Sequence, residues 1–214
     1  TNQMKRILIV GAGGQIGSEL TVYLRSIYGG HNVVATDMRE CKALGEDGPF
    51  EVLNALDATA MASVVARHHV DTIFNLVALL SAVGERNPQM AWQVNMGALN
   101  NSLEVARQHH CALFTPSSIG AFGPTSPKDK TPQDTIMQPT TIYGVCKVTG
   151  ELLSNYYHHK FGVDTRSVRF PGIISNVTLP GGGTTDYAVE IYYEAIRSGR
   201  FTCPVPSDVY MDII

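Results

Sequence analysis

The apolar positions of this chain fall in short runs that alternate with longer amphipathic stretches. Runs of this kind predict buried strands, and the stretches between them predict helices. The predicted strands cover 5–10, 32–37, 50–57, 71–78, 111–114 and 164–170. The first main predicted helix follows the first turn and ends at about residue 28. The other main helices are predicted over 58–68, 88–109, 140–161 and 187–197. Strict alternation of strand and helix indicates a doubly wound parallel α/β sheet, which binds ligands at the carboxyl ends of its strands.

Length and composition indicate one main domain. A chain of 214 residues with 44% hydrophobic and 16% charged residues can bury one sizeable core. We expect a nucleotide-binding domain over 1–175 and the beginning of a smaller substrate-binding region over 176–214. Because 209–214 reads as the start of another strand, we expect the second region to be incomplete.

Charge and cysteine usage favour a small-molecule ligand in a reducing cytoplasm. The net charge of −3 gives no basic surface for nucleic acid, and no apolar stretch reaches the ~18 residues that span a bilayer. The four cysteines are scattered without a C-x-x-C pair or a secretory signal, which disfavours disulfides. Three pairs of adjacent histidines lie near predicted helix ends and lack zinc-site spacing, so we expect no metal.

A glycine-rich turn follows the first predicted strand. Gly11, Gly14 and Gly17 allow a tight turn and the approach of a pyrophosphate to a helix N-terminus. Asp37 ends the second strand and suits the ribose hydroxyls of NAD, whereas it would repel the 2′-phosphate of NADP. Arg39, two residues on, leaves some room for NADP. Asp57 ends the third predicted strand, where it can meet the adenine amino group, cap the next helix, or do both.

Tyr143 and Lys147 lie one turn apart at the start of a predicted helix. An ammonium near a phenol favours the phenolate, so this tyrosine can act as a base near neutral pH. Such pairs also occur by chance on solvated helix faces. The catalytic interpretation depends on Ser118, which supplies a hydroxyl just after the fifth predicted strand.

The segment 180–187 combines three glycines, two threonines and an aspartate before a predicted helix. This composition suits a small polar ligand that carries both charges. A flexible loop with Thr184 as the helix N-cap explains the same residues equally well.

Taken together, these motifs resemble the extended short-chain dehydrogenase/reductase family, whose nucleotide-binding domain has the Rossmann fold. Within that family the segments 116–119, 122–124, 144–147 and 181–187 are most similar to the short-chain type of L-threonine 3-dehydrogenase. The resemblance implies that Tyr143 is the catalytic base and that Lys147 holds the nicotinamide ribose and lowers the tyrosine pKa. It also implies that Ser118 positions the substrate hydroxyl and that Asn95 supports a water relay to the lysine.

The resemblance further implies two sets of binding residues. The implied threonine pocket contains Ser81, Ser118, Tyr143, Thr184, Thr185 and Asp186. The implied NAD site contains Gly11, Gly14, Gln15, Ile16, Gly17, Asp37, Met38, Arg39, Leu56, Asp57, Leu76, Ala78, Tyr143, Lys147 and Pro171.

The activity implied by the resemblance is NAD-dependent oxidation of L-threonine to 2-amino-3-oxobutanoate, a step of threonine catabolism, by a homodimer paired through the helices at 88–109 and 140–161. One alternative is a sugar-nucleotide epimerase or dehydratase of the same fold. Phe122 argues against it, because those enzymes usually have tyrosine there. A second alternative is an NAD-sensing regulator without catalysis, which the intact set of Ser118, Tyr143 and Lys147 disfavours.

Overall fold

A six-stranded parallel sheet forms the centre of the molecule. The computed structural model describes residues 5–214 except 176, 180, 182 and 184. The strands of the main sheet, in the order in which they lie side by side, are β3 (Phe50–Val52), β2 (Val33–Asp37), β1 (Ile7–Val10), β4 (Thr72–Asn75), β5 (Ala112–Phe114) and β7 (Thr165–Arg166). Two further strands, β6 (Ser117–Ser118) and β8 (Arg169–Phe170), form a small parallel sheet of their own.

Helices cover both faces of the main sheet. They are α1 (Gln15–Tyr28), α2 (Lys42–Gly45), α3 (Ala58–Arg67), α4 (Ser81–Arg86), α5 (Pro88–His109), α6 (Ile142–Phe161) and α7 (Tyr187–Ser198), with short 3₁₀ turns at Gly30–Asn32 and Ile119–Ala121. Residues of β1 alternate between two buried clusters, one with α1 and α2 and the other with α3, α5 and α6. Burial on both faces explains why this strand is apolar throughout. The predicted doubly wound Rossmann architecture is confirmed.

The long helices follow local sequence signals closely. Helix α5 has the predicted bounds, because the side chain of Asn87 accepts a hydrogen bond from the Met90 N–H and Pro88 occupies the first helical position. Helix α6 begins slightly later than predicted, since Thr141 caps it by accepting from the Gly144 N–H. None of the helices in the described part of the chain is long and apolar enough to cross a membrane.

The strand predicted over 164–170 is wrong in one respect, because the structure divides it in two. Strand β7 stays beside β5 in the main sheet, and β8 turns away to pair with β6. The strands predicted over 50–57 and 71–78 also end early, after three and four residues. Their remaining residues form loops at the carboxyl edge of the sheet, where the ligand site of this architecture is expected.

Helices α2 and α4 were not predicted from the pattern. Helix α4 has only six residues and contains a glycine, so its local propensity is weak. Tertiary contacts stabilise it instead: Gly84 packs against Ile142, and the Glu85 carboxylate accepts a 2.7 Å hydrogen bond from the Ile142 N–H. The predicted strand at the end of the chain is limited to a bridge between Gly172 and Ile213.

Candidate active site

An open cavity of about 850 Å³ lies at the carboxyl edge of the sheet. The glycine turn, the loop after β4, the small sheet, the start of α6 and the segment before α7 surround it. Most of the predicted site residues meet there. Those that line the cavity are Gly11, Gly14, Gln15, Ile16, Gly17, Leu76, Ala78, Ser81, Ser118, Tyr143, Lys147, Pro171, Thr185 and Asp186.

The glycine turn is shaped for the close approach of a ligand. Gly11 has a positive φ of 86°, which L side chains rarely adopt. A Cβ atom on Gly17 would lie 2.7 Å from the Ala12 Cα, so only glycine lets α1 pack this closely on the turn. Gly14 has no such crowding. These features and the N-terminus of a fourteen-residue helix fit the pyrophosphate of a dinucleotide.

Asp37 braces this turn from the end of β2. Its carboxylate accepts hydrogen bonds from the Gly13 N–H at 2.9 Å and from the Arg39 N–H at 3.3 Å. Asp57 caps α3 by accepting a hydrogen bond from the Ala60 N–H at 2.9 Å. This is the helix-capping role that the sequence predicted for it. The predicted cofactor residues that do not border the large cavity are Asp37, Met38, Arg39, Leu56 and Asp57.

Ser118 and Tyr143 meet at the junction of the small sheet and α6. The Ser118 hydroxyl accepts from the Gly120 N–H at 3.0 Å and hydrogen-bonds to Tyr143. Burial raises the pKa of Tyr143, and the bond to Ser118 only partly opposes that rise. The net shift of the tyrosine pKa is therefore upward in this structure, whereas the resemblance implies that Lys147 lowers it.

The position of Lys147 explains the difference. Its Nζ atom lies 5.3 Å from the centroid of the Tyr143 ring and donates a 2.6 Å hydrogen bond to the Pro116 carbonyl. Burial lowers the pKa of Lys147 to about 8, because the charged ammonium is poorly solvated. The lysine therefore binds a backbone carbonyl, and its ammonium loses its proton more easily than an exposed one does.

Asn95 does not contact the lysine directly. Its side-chain oxygen accepts from the Leu79 N–H at 2.7 Å, and its amide nitrogen donates to the Leu79 carbonyl at 3.2 Å. These two bonds fix the segment that leads from β4 into α4. Asn95 also lines a second, much smaller cavity together with Lys147.

The predicted threonine-pocket residues are brought together as far as the structure describes them. Ser81 begins α4, Thr185 packs against Gly172, and Asp186 immediately precedes α7. The Asp186 carboxylate accepts a 2.8 Å hydrogen bond from the Gly183 N–H, which shapes the glycine segment around it. Thr184 lies outside the described residues.

Sequence reasoning missed a polar cluster behind the catalytic motif. Glu151 accepts hydrogen bonds from the Ser117 hydroxyl and from Arg169, whose guanidinium also stacks on the ring of Phe122. The sequence did contain a signal for Glu151, because this residue follows Lys147 by one helical turn and so shares its helix face. It contained no signal that the Pro116 carbonyl binds Lys147, since every residue has a backbone carbonyl. Within the described ranges, no group of histidine, cysteine and acidic side chains is arranged to hold a metal ion.

Comparison with known proteins gives matches along almost the whole chain. Residues 7–208 match the NAD dependent epimerase/dehydratase family. An uncharacterized epimerase/dehydratase of Staphylococcus haemolyticus is 58% identical over 213 residues, which are 99% of this chain and 67% of that protein.

Two solved structures extend the comparison. The L-threonine dehydrogenase of Clostridium difficile aligns with a TM-score of 0.94 and 54% identity, covering 100% of this chain and 67% of that one. A monomeric L-threonine 3-dehydrogenase from a metagenome aligns with a TM-score of 0.86 and 41% identity, covering 90% and 62%. The chain thus spans about two thirds of the length of these relatives.

Proposed function

The chain belongs to the NAD dependent epimerase/dehydratase family, and from that premise we propose that it oxidises the secondary alcohol of L-threonine to 2-amino-3-oxobutanoate. The observation that carries the proposal is the convergence of Ser118, Tyr143 and Lys147 with the glycine turn on one cavity. The similarity to L-threonine dehydrogenases supports the choice of substrate.

The residues of the glycine turn fit the NAD used by this family. Gly11, Gly14 and Gly17, with Gln15 and Ile16, would hold the pyrophosphate, and Asp37 would face the adenosine ribose. The other predicted NAD contacts fall into two groups. The residues that would contact the adenosine half are Met38, Arg39, Leu56 and Asp57. The residues that would contact the nicotinamide half are Leu76, Ala78, Lys147 and Pro171. When bound, NAD supplies the nicotinamide that accepts a hydride from the alcohol carbon.

Tyr143 takes the hydroxyl proton in this scheme, with Ser118 orienting the hydroxyl. A buried phenol with a raised pKa is rarely ionised at neutral pH, so positive charge near it has to favour the phenolate. Lys147 is the cation next to the ring. We therefore expect the rate of oxidation to rise as the pH increases above neutrality.

L-Threonine presents an ammonium, a carboxylate and a hydroxyl within a few bonds. Ser81 and Thr185 are hydroxyl donors suited to the carboxylate, with Thr184 as a further candidate, and Asp186 is suited to the ammonium. The proposed division of labour places the nucleotide site in 1–175 and the threonine pocket partly in 176–214.

The direct test is NADH formation by the full chain with NAD and L-threonine. We expect NADH to form with L-threonine and not with UDP-glucose. Conversion of UDP-glucose without net NADH formation would instead identify a sugar-nucleotide epimerase, and binding of NAD without any turnover would identify a regulator.

The variant Asp186→Asn tests the proposed ammonium contact. Asparagine keeps an oxygen acceptor for the Gly183 N–H but loses the negative charge. We expect kcat/KM for L-threonine to fall roughly ten- to a hundredfold, with little change in NAD affinity or melting temperature. A lower melting temperature with unchanged threonine kinetics would assign Asp186 a structural role only.

A further inference from the structure

Arg25 is a charged side chain on the buried face of α1. Only 6% of its surface is exposed, and its hydrogen-bond partners in the described part of the chain are all backbone carbonyls. Burial lowers the pKa of the guanidinium and Asp47 partly opposes that shift, but the group stays charged near neutral pH. Burying a charge without a hydrogen-bonded carboxylate is costly, so the position of Arg25 needs a reason.

The Arg25 guanidinium joins both ends of the connection between β2 and β3. Its Nε and Nη2 atoms both donate to the Val33 carbonyl at the start of β2, each at 3.2 Å. Nη1 donates to the Leu44 carbonyl in α2 at 2.5 Å, and Nη2 also donates to the Pro49 carbonyl just before β3 at 2.8 Å. The rigid planar fork of donors lets one side chain hold three carbonyls in fixed positions.

Helix α2 has weak support from its own sequence. It is a single turn of four residues that ends in Gly45, and the side chain of its N-cap residue, Cys41, forms no capping hydrogen bond. A turn this short is not stable on its own in water. Leu44 is buried in the apolar cluster that α1 shares with β1 and β2, and its carbonyl binds Arg25. Tertiary contacts, with Arg25 among them, therefore set the position of α2.

Helix α2 leads through direct contacts to the proposed adenosine site. The Leu44 N–H donates to the Cys41 carbonyl at 3.0 Å. The Cys41 thiol packs beside the glycine turn and Asp37, since a Cβ atom added to Gly13 would lie 2.8 Å from the sulfur and 3.0 Å from the Asp37 carboxylate. That carboxylate accepts from the Gly13 N–H. The position of α2 therefore determines what packs against Asp37.

We propose that Arg25 is a positioning residue for the adenosine half of NAD. By holding α2 it keeps Cys41 packed against the glycine turn, and so keeps Asp37 aimed at the adenosine ribose. Arg25 is buried and its donors are occupied by carbonyls, so it acts through Cys41 and Asp37 and does not touch the cofactor. The inference rests on the cofactor assignment of the proposed function and is independent of the substrate.

Titration calorimetry with the full chain and the variant Arg25→Lys tests the proposal. The probes are NAD and ADP, which shares the adenosine half and lacks the nicotinamide. Lysine keeps the positive charge but loses the planar fork that holds three carbonyls. We expect Kd to rise roughly tenfold for both probes, because the adenosine site is less well organised before binding. Wild-type affinity of this variant for both probes would overturn the proposal.

Steady-state kinetics separate positioning from a general loss of stability. For Arg25→Lys we expect KM for NAD to rise, while kcat at saturating NAD stays within about twofold of wild type. Val163→Ala is the control, because Val163 is buried in the cluster on the other face of the sheet. The control should have a lower melting temperature with KM and kcat unchanged. A fall of kcat with unchanged KM for NAD in Arg25→Lys would overturn the proposal.

Cys41→Ala tests the route from Arg25 to Asp37 and remains informative if Arg25→Lys does not fold. Alanine removes the sulfur that packs beside Gly13 and Asp37. We expect a smaller rise in Kd for NAD and ADP than in Arg25→Lys. In the double variant the two losses should not add, because both act on the same contact. Unchanged affinity of Cys41→Ala, or additive losses in the double variant, would overturn the route.

The wild-type protein gives the reference for the cofactor and for the substrate separately. If it binds neither NAD nor ADP, the cofactor assignment is wrong and the role of Arg25 falls with it. If it binds both but does not oxidise L-threonine, only the proposed substrate is wrong. The calorimetric comparison of wild type and variants then still decides the role of Arg25.

Discussion

Burial pushes both Tyr143 and Lys147 toward their neutral forms. It raises the pKa of the tyrosine and lowers that of the lysine to about 8. The spacing of the two residues was readable from the sequence, because an i, i+4 pair always shares a helix face. The direction of the pKa shifts was not readable, since it depends on burial and on the Pro116 carbonyl that binds the ammonium.

The variant Tyr143→Phe removes the proposed base and keeps the ring. We expect kcat to fall roughly a hundredfold or more while NAD affinity, measured by titration, stays close to wild type. Tyr157→Phe is the control on the same helix, because the Tyr157 hydroxyl binds Glu104 away from the cavity. Near-normal turnover of Tyr143→Phe would remove this residue from the mechanism.

Lys147→Met tests the cost of burying the ammonium. Because the pKa of Lys147 is about 8 in the folded protein and 10.5 ordinarily, the unfolded chain binds more protons between these values. The contribution of Lys147 to the free energy of unfolding of the wild type therefore rises with pH across that window. The Met variant has no such pH-dependent contribution. The difference in melting temperature, variant minus wild type, should fall steadily from pH 8 to pH 10.

Tyr143 contributes little to this comparison below about pH 9, because its ordinary pKa is 10.0 and burial raises it. A difference in melting temperature that does not change with pH would show that the ammonium is well solvated.

Among the helices and strands, those set by local signals were predictable and those set by distant contacts were not. Helix α5 has its cap and its proline in the adjacent sequence. Helix α4 depends on Ile142 of α6, which lies far along the chain and supplies both a packing surface and an N–H for Glu85. The division between β7 and β8 likewise follows from which strand lies beside each segment, and a sequence pattern does not contain that information.

The contact between the glycine turn and α1 gives a prediction at the same scale. Gly17→Ala places a methyl group against the Gly11 carbonyl and 2.7 Å from the Ala12 Cα, so α1 has to move. We expect a loss of about 1 to 3 kcal/mol in the free energy of unfolding, measured with urea. The matched variant Gly14→Ala, whose nearest contact is 3.5 Å, should be much less destabilised. Equal losses in the two variants would contradict the packing argument.

The architecture of the whole molecule was the most predictable level. Alternating strands and helices specify a doubly wound sheet, and the two buried clusters on its faces agree with that. The predicted homodimer is still a proposal. Helix α6 leaves Val145, Leu152 and Tyr156 exposed, and α5 leaves Met90 and Trp92 exposed. Exposed apolar residues on neighbouring helices favour pairing with a second copy, although one similar enzyme is described as monomeric.

Leu152→Glu tests this pairing. The side chain is 62% exposed, so a charge there should not disturb the monomer but should disrupt an interface through α6. We expect light scattering to give a dimer mass for the wild-type full chain and a monomer mass for the variant. Val22→Glu on α1, where the wild-type residue is 58% exposed, is the control and should stay dimeric. A monomeric wild type at micromolar concentration would refute the dimer.

The division of the strand after α6 has a consequence for how such enzymes diversify. Ser167 and Val168 join a segment that completes the main sheet to one that belongs to the small sheet. Exchange of genetic material at this junction would transfer the downstream part between relatives while leaving the six-stranded sheet whole. Under the proposed function, such an exchange would carry Pro171 and the 176–214 part of the threonine pocket, while the glycine turn, Ser118, Tyr143 and Lys147 would stay in place.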